Sequence, residues 1–216
     1  MVSKERAEGY FESLFTDLPA ELSALESAAL AEEVPIIRKE SQNVLRFFLE
    51  MKEPSRVLEV GTAVGFSALF MRYFAPGAKI DTIEKVEMRL ARARENLKSE
   101  IDAGNIRLLE GDADYILKEL AVKEEGSYDL IFMDAAKAQY MNFLPSVMKC
   151  LKKGGLLISD NILHDGDILE SRYAVERRDR TIHARMREYL YEITHREDLY
   201  TMLLTEGDGM SVSVKK

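Results

Sequence analysis

From Arg56 onward, short apolar runs alternate with longer amphipathic stretches, and this rhythm constrains the fold more than any other feature. Residues 56–60, 79–83, 106–109, 128–133 and 155–159 read as strands, because each is a brief apolar run rich in Val, Ile, Leu, Phe or Met. Residues 66–74, 87–101, 113–121 and 140–151 lie between them and carry helical spacing. Strands separated by helices of this length build a parallel sheet with right-handed crossovers, so the fold class is α/β. The rhythm changes after residue 161. Residues 162–175 read as a loop, and a charged helix follows over about 176–195. Residues 199–204 and 210–214 are strand-like, and Asp208-Gly209 between them is a hairpin signal. An antiparallel hairpin therefore closes the sheet.

The amino end is different. Residues 3–15, 20–33 and 40–52 have helical spacing, interrupted at Val34-Pro35-Ile36-Ile37, where proline favours extended geometry. With 216 residues, one domain is expected: a helical extension over 1–53 on an α/β core over 54–216. No apolar run approaches the ~18 residues that cross a bilayer, and the first residues lack an apolar signal core, which predicts a cytoplasmic protein without a membrane partner. One cysteine, Cys150, excludes a disulfide framework and a thiolate zinc cage, and reads as a small buried hydrophobe. A net charge of −8 argues against nucleic-acid binding over the whole surface but leaves room for a local basic patch.

Chemistry concentrates at the strand ends. Glu59-Val60-Gly61-Thr62-Ala63-Val64-Gly65-Phe66-Ser67 leaves the first strand and opens a helix. Glycines at such a turn admit a ligand close to the backbone, and the helix start offers free N–H groups. The G-x-x-x-G spacing is neither the dinucleotide fingerprint nor a phosphate loop. Glu59 suits a cationic ligand better than a pyrophosphate. Glu84 ends the second strand, where an acid accepts hydrogen bonds from ribose hydroxyls. Gly111-Asp112-Ala113 ends the third, where an adenine can be bracketed. A plain tight turn with solvated acids is the competing reading.

A second cluster follows. The fourth strand ends in Asp134-Ala135-Ala136-Lys137 and the fifth in Ser159-Asp160-Asn161. Neighbouring parallel strands bring Asp134, Asp160 and Asn161 to one edge, and three oxygen ligands suit Mg²⁺ or Ca²⁺ rather than zinc. The same residues also serve as helix caps in many proteins, and Lys137 also reads as a surface lysine. His164, three residues past Asn161, is a candidate lining residue of the acceptor pocket or a plain loop residue, and His183 and His195 read as surface residues.

The glycine turn with its strand-end acids resembles the class I S-adenosylmethionine-dependent methyltransferases. The pair Asp134-Ala135-Ala136-Lys137 and Ser159-Asp160-Asn161 narrows the likeness to the catechol and caffeoyl-CoA O-methyltransferase group. The resemblance implies a Rossmann-like, seven-stranded, doubly wound sheet. It implies that Gly61 and Thr62 line the methionine part of the donor, that Ser67 reaches its carboxylate, that Glu84 holds the ribose and that Asp112 and Ala113 flank the adenine. It implies Mg²⁺ on Asp134, Asp160 and Asn161, with Asp134 shared with the donor pocket, Lys137 as general base, and a homodimer. Chelation then requires an acceptor with two adjacent oxygens.

Two acceptors meet that rule: a small catechol or hydroxycinnamoyl-type ester, and 5-hydroxyuridine. Residues 172–187 hold Arg172, Arg177, Arg178, Arg180, Arg185 and Arg187 against Glu176 and Asp179. Arginine suits phosphate, although such a helix is often merely solvated and paired with its own acids. Val34-Pro35-Ile36-Ile37, this arginine-rich segment leading to Arg187-Glu188-Tyr189, and Gly207-Asp208-Gly209 resemble the bacterial tRNA 5-hydroxyuridine methyltransferases. That branch implies 5-methoxyuridine formation at the wobble position of a tRNA anticodon loop, backbone near Ile37 touching the cofactor, and RNA contacts from Arg172, Arg177, Arg178 and Arg180. A non-enzymatic nucleotide-binding protein is the reading from another class.

Overall fold

The computed structural model describes Arg6, residues 9–11 and residues 13–216. Of the helix expected over 3–15, residues 3–5, 7, 8 and 12 lie outside the described residues; 9–11 are helical and 13–15 form a turn and bend. The chain then runs α1 (Ala20–Ala31), α2 (Lys39–Lys52), β1 (Arg56–Val60), α3 (Phe66–Phe74), β2 (Lys79–Glu84), α4 (Glu87–Asn96), α5 (Lys98–Asp102), β3 (Ile106–Glu110), α6 (Ala113–Lys123), β4 (Tyr128–Met133), α7 (Tyr140–Cys150), β5 (Leu151–Asp160), α8 (Arg180–His195), β6 (Leu199–Leu204) and β7 (Met210–Lys215).

The seven strands form one sheet in the order β3-β2-β1-β4-β5-β7-β6. β1 to β5 pair in parallel, and β7 lies antiparallel between β5 and β6. The pleat sends alternate side chains to opposite faces. Leu58, Val60, Ile131, Met133 and Leu157 meet α6, α7 and α8 on one face. Val57, Ile80, Leu130, Phe132 and Ile158 meet α1 to α4 on the other. Both faces are therefore covered, which is why the strands read as near-continuous apolar runs.

Three expectations shift. The helix expected over 87–101 is two helices, broken between Asn96 and Lys98. β5 starts at Leu151, directly after α7, because the chain turns from helix to strand without a linking loop. The helix expected from about 176 begins at Arg180. His183 also departs from its surface reading: it is 5% exposed, with Nε2 lying 3.1 Å from the Glu170 carbonyl. The apolar face of α8 (Met186, Tyr189, Ile193) carries it inward. His195 is exposed, as expected. Cys150 is buried, and burial pushes its thiol up to about 11. No helix among the described residues is long and apolar enough to cross a membrane.

The strand order reverses direction between β1 and β4. Open α/β sheets bind ligands in the crevice at such a switch point, outside the carboxyl ends of the strands. Val60 pairs with both Ile83 and Met133, and Met133 with Ser159, so Gly61, Glu84, Asp134 and Asp160 emerge along one edge.

Candidate active site

That edge bounds a cavity of ≈ 1320 Å³. Ile37, Gly61, Thr62, Ser67, Glu84, Asp112, Ala113, Asp134, Lys137, Asp160 and Asn161 all line it. Glu59 lies beneath the glycine turn and is fully buried. Arg172, Arg177, Arg178 and Arg180 are outside the lining, and so is His164, whose Nδ1 instead faces Asp167 at 3.5 Å.

The turn after β1 depends on Gly61. Its φ is +108°, and a Cβ built there would stand 2.0 Å from the main-chain oxygen of Asp134. The glycine turn thus packs so closely against Asp134, which starts the second cluster, that no side chain fits between them. Gly65, also with positive φ, precedes the first turn of α3.

Glu59 is held in a short polar chain. Thr82 Oγ1 donates to Glu59 Oε2, which leaves Thr62 Oγ1 to donate to Thr82 Oγ1. Glu59 Oε1 is buried without any hydrogen-bond partner. A buried orphan oxygen is costly unless a ligand completes it. Burial pushes Glu59 up to about 7; the nearby Ser67 hydroxyl and the Thr82 hydrogen bond oppose this, and the Asp134 and Glu84 charges add to it. Beside it, Glu84 accepts from the backbone N–H groups of Ala63 (3.0 Å), Lys85 (2.8 Å) and Val86 (2.9 Å), so its carboxylate is fixed at the cavity wall. Asp112 caps α6 by accepting from the Asp114 N–H at 2.9 Å.

A folded-state pKa above the ordinary value means that the Glu59 contribution to stability is present at low pH and is lost as pH rises through about 7. The ligand-free protein should therefore lose on the order of 2–3 kcal/mol between pH 4.5 and 7.5. Asp160 adds a slope of the same sign. Glu59→Gln should flatten most of the Glu59 share, which urea titrations at several pH values measure; an unchanged slope would refute this origin.

At the other end of the cavity, Lys137 Nζ donates to Asp134 Oδ1 at 2.7 Å and to the Tyr140 hydroxyl at 3.2 Å. Tyr140 is fully buried, and its hydroxyl also lies 2.9 Å from the Met133 carbonyl and 3.1 Å from the Asp160 carbonyl. One hydroxyl therefore ties the lysine to the ends of β4 and β5. Burial works to lower the Lys137 pKa, but the Tyr140 and Asp134 groups outweigh it and hold it above its usual value. Asp160 is 5% exposed and accepts from Ser41 Oγ at 2.9 Å. Burial and the Asp134 charge push it up to about 6. Neither Asp134 nor Asp160 caps a helix. Asn161 takes a left-handed φ of 61°. Among the described residues no three His, Cys, Asp or Glu side chains form a metal-holding group, so the oxygen set here is two carboxylates and an amide.

Sequence reading missed Ser41, Tyr140 and the mouth of the cavity. At the mouth, Arg38 Nη2 pairs with Asp165 Oδ1 at 3.0 Å, and buried Asp208 accepts from the Asp165 N–H. Tyr140 stands three residues after Lys137, a spacing that turns both toward one side of a helical start. Ser41 left no local signal, and Asp208 was legible as a hairpin-turn residue but not as a buried acceptor beside the cavity.

The sequence profile of the O-methyltransferase family matches residues 16–216. The catechol O-methyltransferase of Mycobacterium tuberculosis is 31% identical over 160 residues, covering 73% of this chain and 71% of that protein. The catechol O-methyltransferase of Niastella koreensis is 28% identical over 127 residues, covering 58% of this chain and 58% of that protein, so the match spans less than two thirds of its length. Among solved structures, a Staphylococcus aureus protein assigned as a caffeoyl-CoA O-methyltransferase superposes with a TM-score of 0.88 at 27% identity, covering 97% of this chain and 99% of that one. The SAH-bound Podospora anserina methyltransferase PaMTH1 shares the fold, with a TM-score of 0.85 at 23% identity over 98% and 94% of the two chains.

Proposed function

Since this chain belongs to the O-methyltransferase family, we propose that it moves the methyl group of S-adenosylmethionine to a hydroxyl of a chelating acceptor, with Mg²⁺ as the metal and 5-hydroxyuridine at the tRNA wobble position as the acceptor. The observation that carries the chemistry is the meeting of Asp134, Asp160, Asn161 and Lys137 beside the glycine turn in one cavity.

The residues fit the donor. The orphan Glu59 oxygen beneath the turn suits a cationic amino group, and the fixed Glu84 carboxylate suits a ribose diol. Bound S-adenosylmethionine supplies an electrophilic methyl group on sulfur. The residues also fit a hard cation, since the paired carboxylates and the amide offer only oxygen, and burial leaves the Asp160 charge undercompensated. A divalent cation held by Asp134, Asp160 and Asn161 would supply Lewis acidity to the acceptor hydroxyl.

The remaining work falls to the chain. Lys137 Nζ, held by Asp134 and Tyr140 in the same cavity, would take the proton of the acceptor hydroxyl. In the resting chain it keeps its own proton against Asp134, so base function requires the Asp134 charge to be engaged elsewhere. Tyr140 fixes where the lysine points, and Ser41 fixes the Asp160 carboxylate.

The test is incubation with tRNA carrying 5-hydroxyuridine and, separately, with catechol, followed by product analysis. Formation of 5-methoxyuridine that stops on chelation of divalent cations is expected. Asp160→Ala should lower transfer roughly 100-fold or more while calorimetric donor affinity stays within about threefold. Equal loss of both would place Asp160 in the donor pocket. Two bacterial relatives are named catechol O-methyltransferases, and turnover of catechol without tRNA methylation would establish the small-catechol reading instead.

A further inference from the structure

The loop joining β5 to α8 carries an aromatic ring that the core does not use. Tyr173 is 90% exposed, and Leu169 on the same loop is 73% exposed. A ring this open adds almost nothing to folding, because little of its surface leaves water. The loop around it is nevertheless well anchored. Val175 is buried, the Ala174 N–H donates to the Ser171 carbonyl at 2.9 Å, and Arg180 Nε donates to the Val175 carbonyl at 3.2 Å. On the other side, Arg187 Nη1 donates to the Ile168 carbonyl at 3.2 Å. The turn holding Tyr173 is thus fastened before and after the ring.

The arginines of this region separate into two groups. Arg178 pairs with Glu176 and Asp179. Arg180, Arg185 and Arg187 donate to backbone carbonyls. Arg172 and Arg177 are exposed and have no acidic partner among the described residues. Two free guanidinium groups therefore flank the open ring along the chain.

The loop also borders the cavity. It leaves the sheet at Asn161 and passes Asp165 at the mouth. It ends in α8, whose Arg185 Nη1 donates to the Ala138 carbonyl in the turn that carries Lys137. We propose that Tyr173 is a stacking platform for an unpaired base of the acceptor RNA, next to the nucleotide that is methylated, and that Arg172 and Arg177 hold the phosphates beside it. This rests on the tRNA reading of the acceptor. An aromatic face accepts any unstacked base, and the planar guanidinium fork matches phosphate oxygens. In a chain of net charge −8, a polyanion needs such a local foothold.

The experiment compares the full-length wild type, Tyr173→Ala, Tyr173→Trp and the double variant Arg172→Ala/Arg177→Ala on tRNA bearing 5-hydroxyuridine, with S-adenosylmethionine binding as the control for folding. Tyr173→Ala should raise the tRNA KM roughly 5- to 100-fold with kcat within about twofold, and Tyr173→Trp should restore it. The double variant should reduce the slope of log KM against log salt by about 1.4, two phosphates at ~0.7 each. If the wild type methylates the tRNA and these variants keep its KM and salt slope, the platform is refuted and the acceptor reading stands. If the wild type leaves the tRNA unmethylated, both fall. If Tyr173→Ala instead splits an oligomer in light scattering, the ring belongs to a second copy of the chain and the platform is likewise refuted.

Discussion

Replacing Lys137 with alanine is expected to lower kcat roughly 10²- to 10⁴-fold while donor affinity, measured by calorimetry, stays within about twofold. The lysine is only 12% exposed in its side chain, and two fixed partners, Asp134 and Tyr140, aim its nitrogen. It donates to neither Glu84 nor Asp112 at the far side of the cavity, so its loss should be felt in proton transfer. Lys137→Arg is the informative companion. Arginine keeps the positive charge beside Asp134 but does not give up its proton at any ordinary pH. If the lysine merely holds Asp134 in place, arginine should rescue much of the rate. If it accepts a proton, arginine should be nearly as slow as alanine. A fall in kcat of less than tenfold for both variants would remove Lys137 from the chemistry.

Gly61→Ala should have the largest effect on the fold of any single-methyl addition at the site. The new Cβ would stand 2.0 Å from the Asp134 oxygen and 2.8 Å from its carbonyl carbon, and backbone cannot swing aside as a side chain can. The φ of +108° adds strain for any L side chain. A loss on the order of 3 kcal/mol or more in urea melts is expected, together with a loss of donor binding. Gly77→Ala is the control: nothing stands within 4 Å of its built Cβ, and its effect should stay within about 0.5 kcal/mol. Equal melts for the two variants would show that the turn yields more easily than its geometry implies.

The parts of the molecule that could be read from sequence are those written in local periodicity. The α3 helix over Phe66–Phe74 and the β4 strand over Tyr128–Met133 match the expected bounds, because each is one apolar pattern closed by a clear break. The strand-end acids were legible for a related reason. A parallel sheet turns positions far apart in sequence, such as Asp134 and Asp160, into neighbours along one edge. What stayed hidden depends on contacts with no local trace. Ser41 reaches Asp160 across 119 residues, and Arg38 reaches Asp165 across 127. His183 was misread because its charged neighbours outweighed the inward stripe of α8. The arginine-rich stretch looked uniform, yet carbonyl bonds and two acids occupy most of it and leave Arg172 and Arg177 apart. Charge counting alone does not distinguish a guanidinium that faces solvent from one that fastens a loop.

The seclusion of Cys150 has a practical use. Its sulfur is out of reach and strongly disfavours the thiolate, the form that alkylating reagents attack. The native chain is therefore expected to react slowly with maleimides, which a thiol titration of the folded protein checks. A cysteine engineered at an open position such as Leu169 would be the sole labelling handle, so a fluorophore or nitroxide attached there would follow that loop during turnover without first stripping the protein of its own thiol.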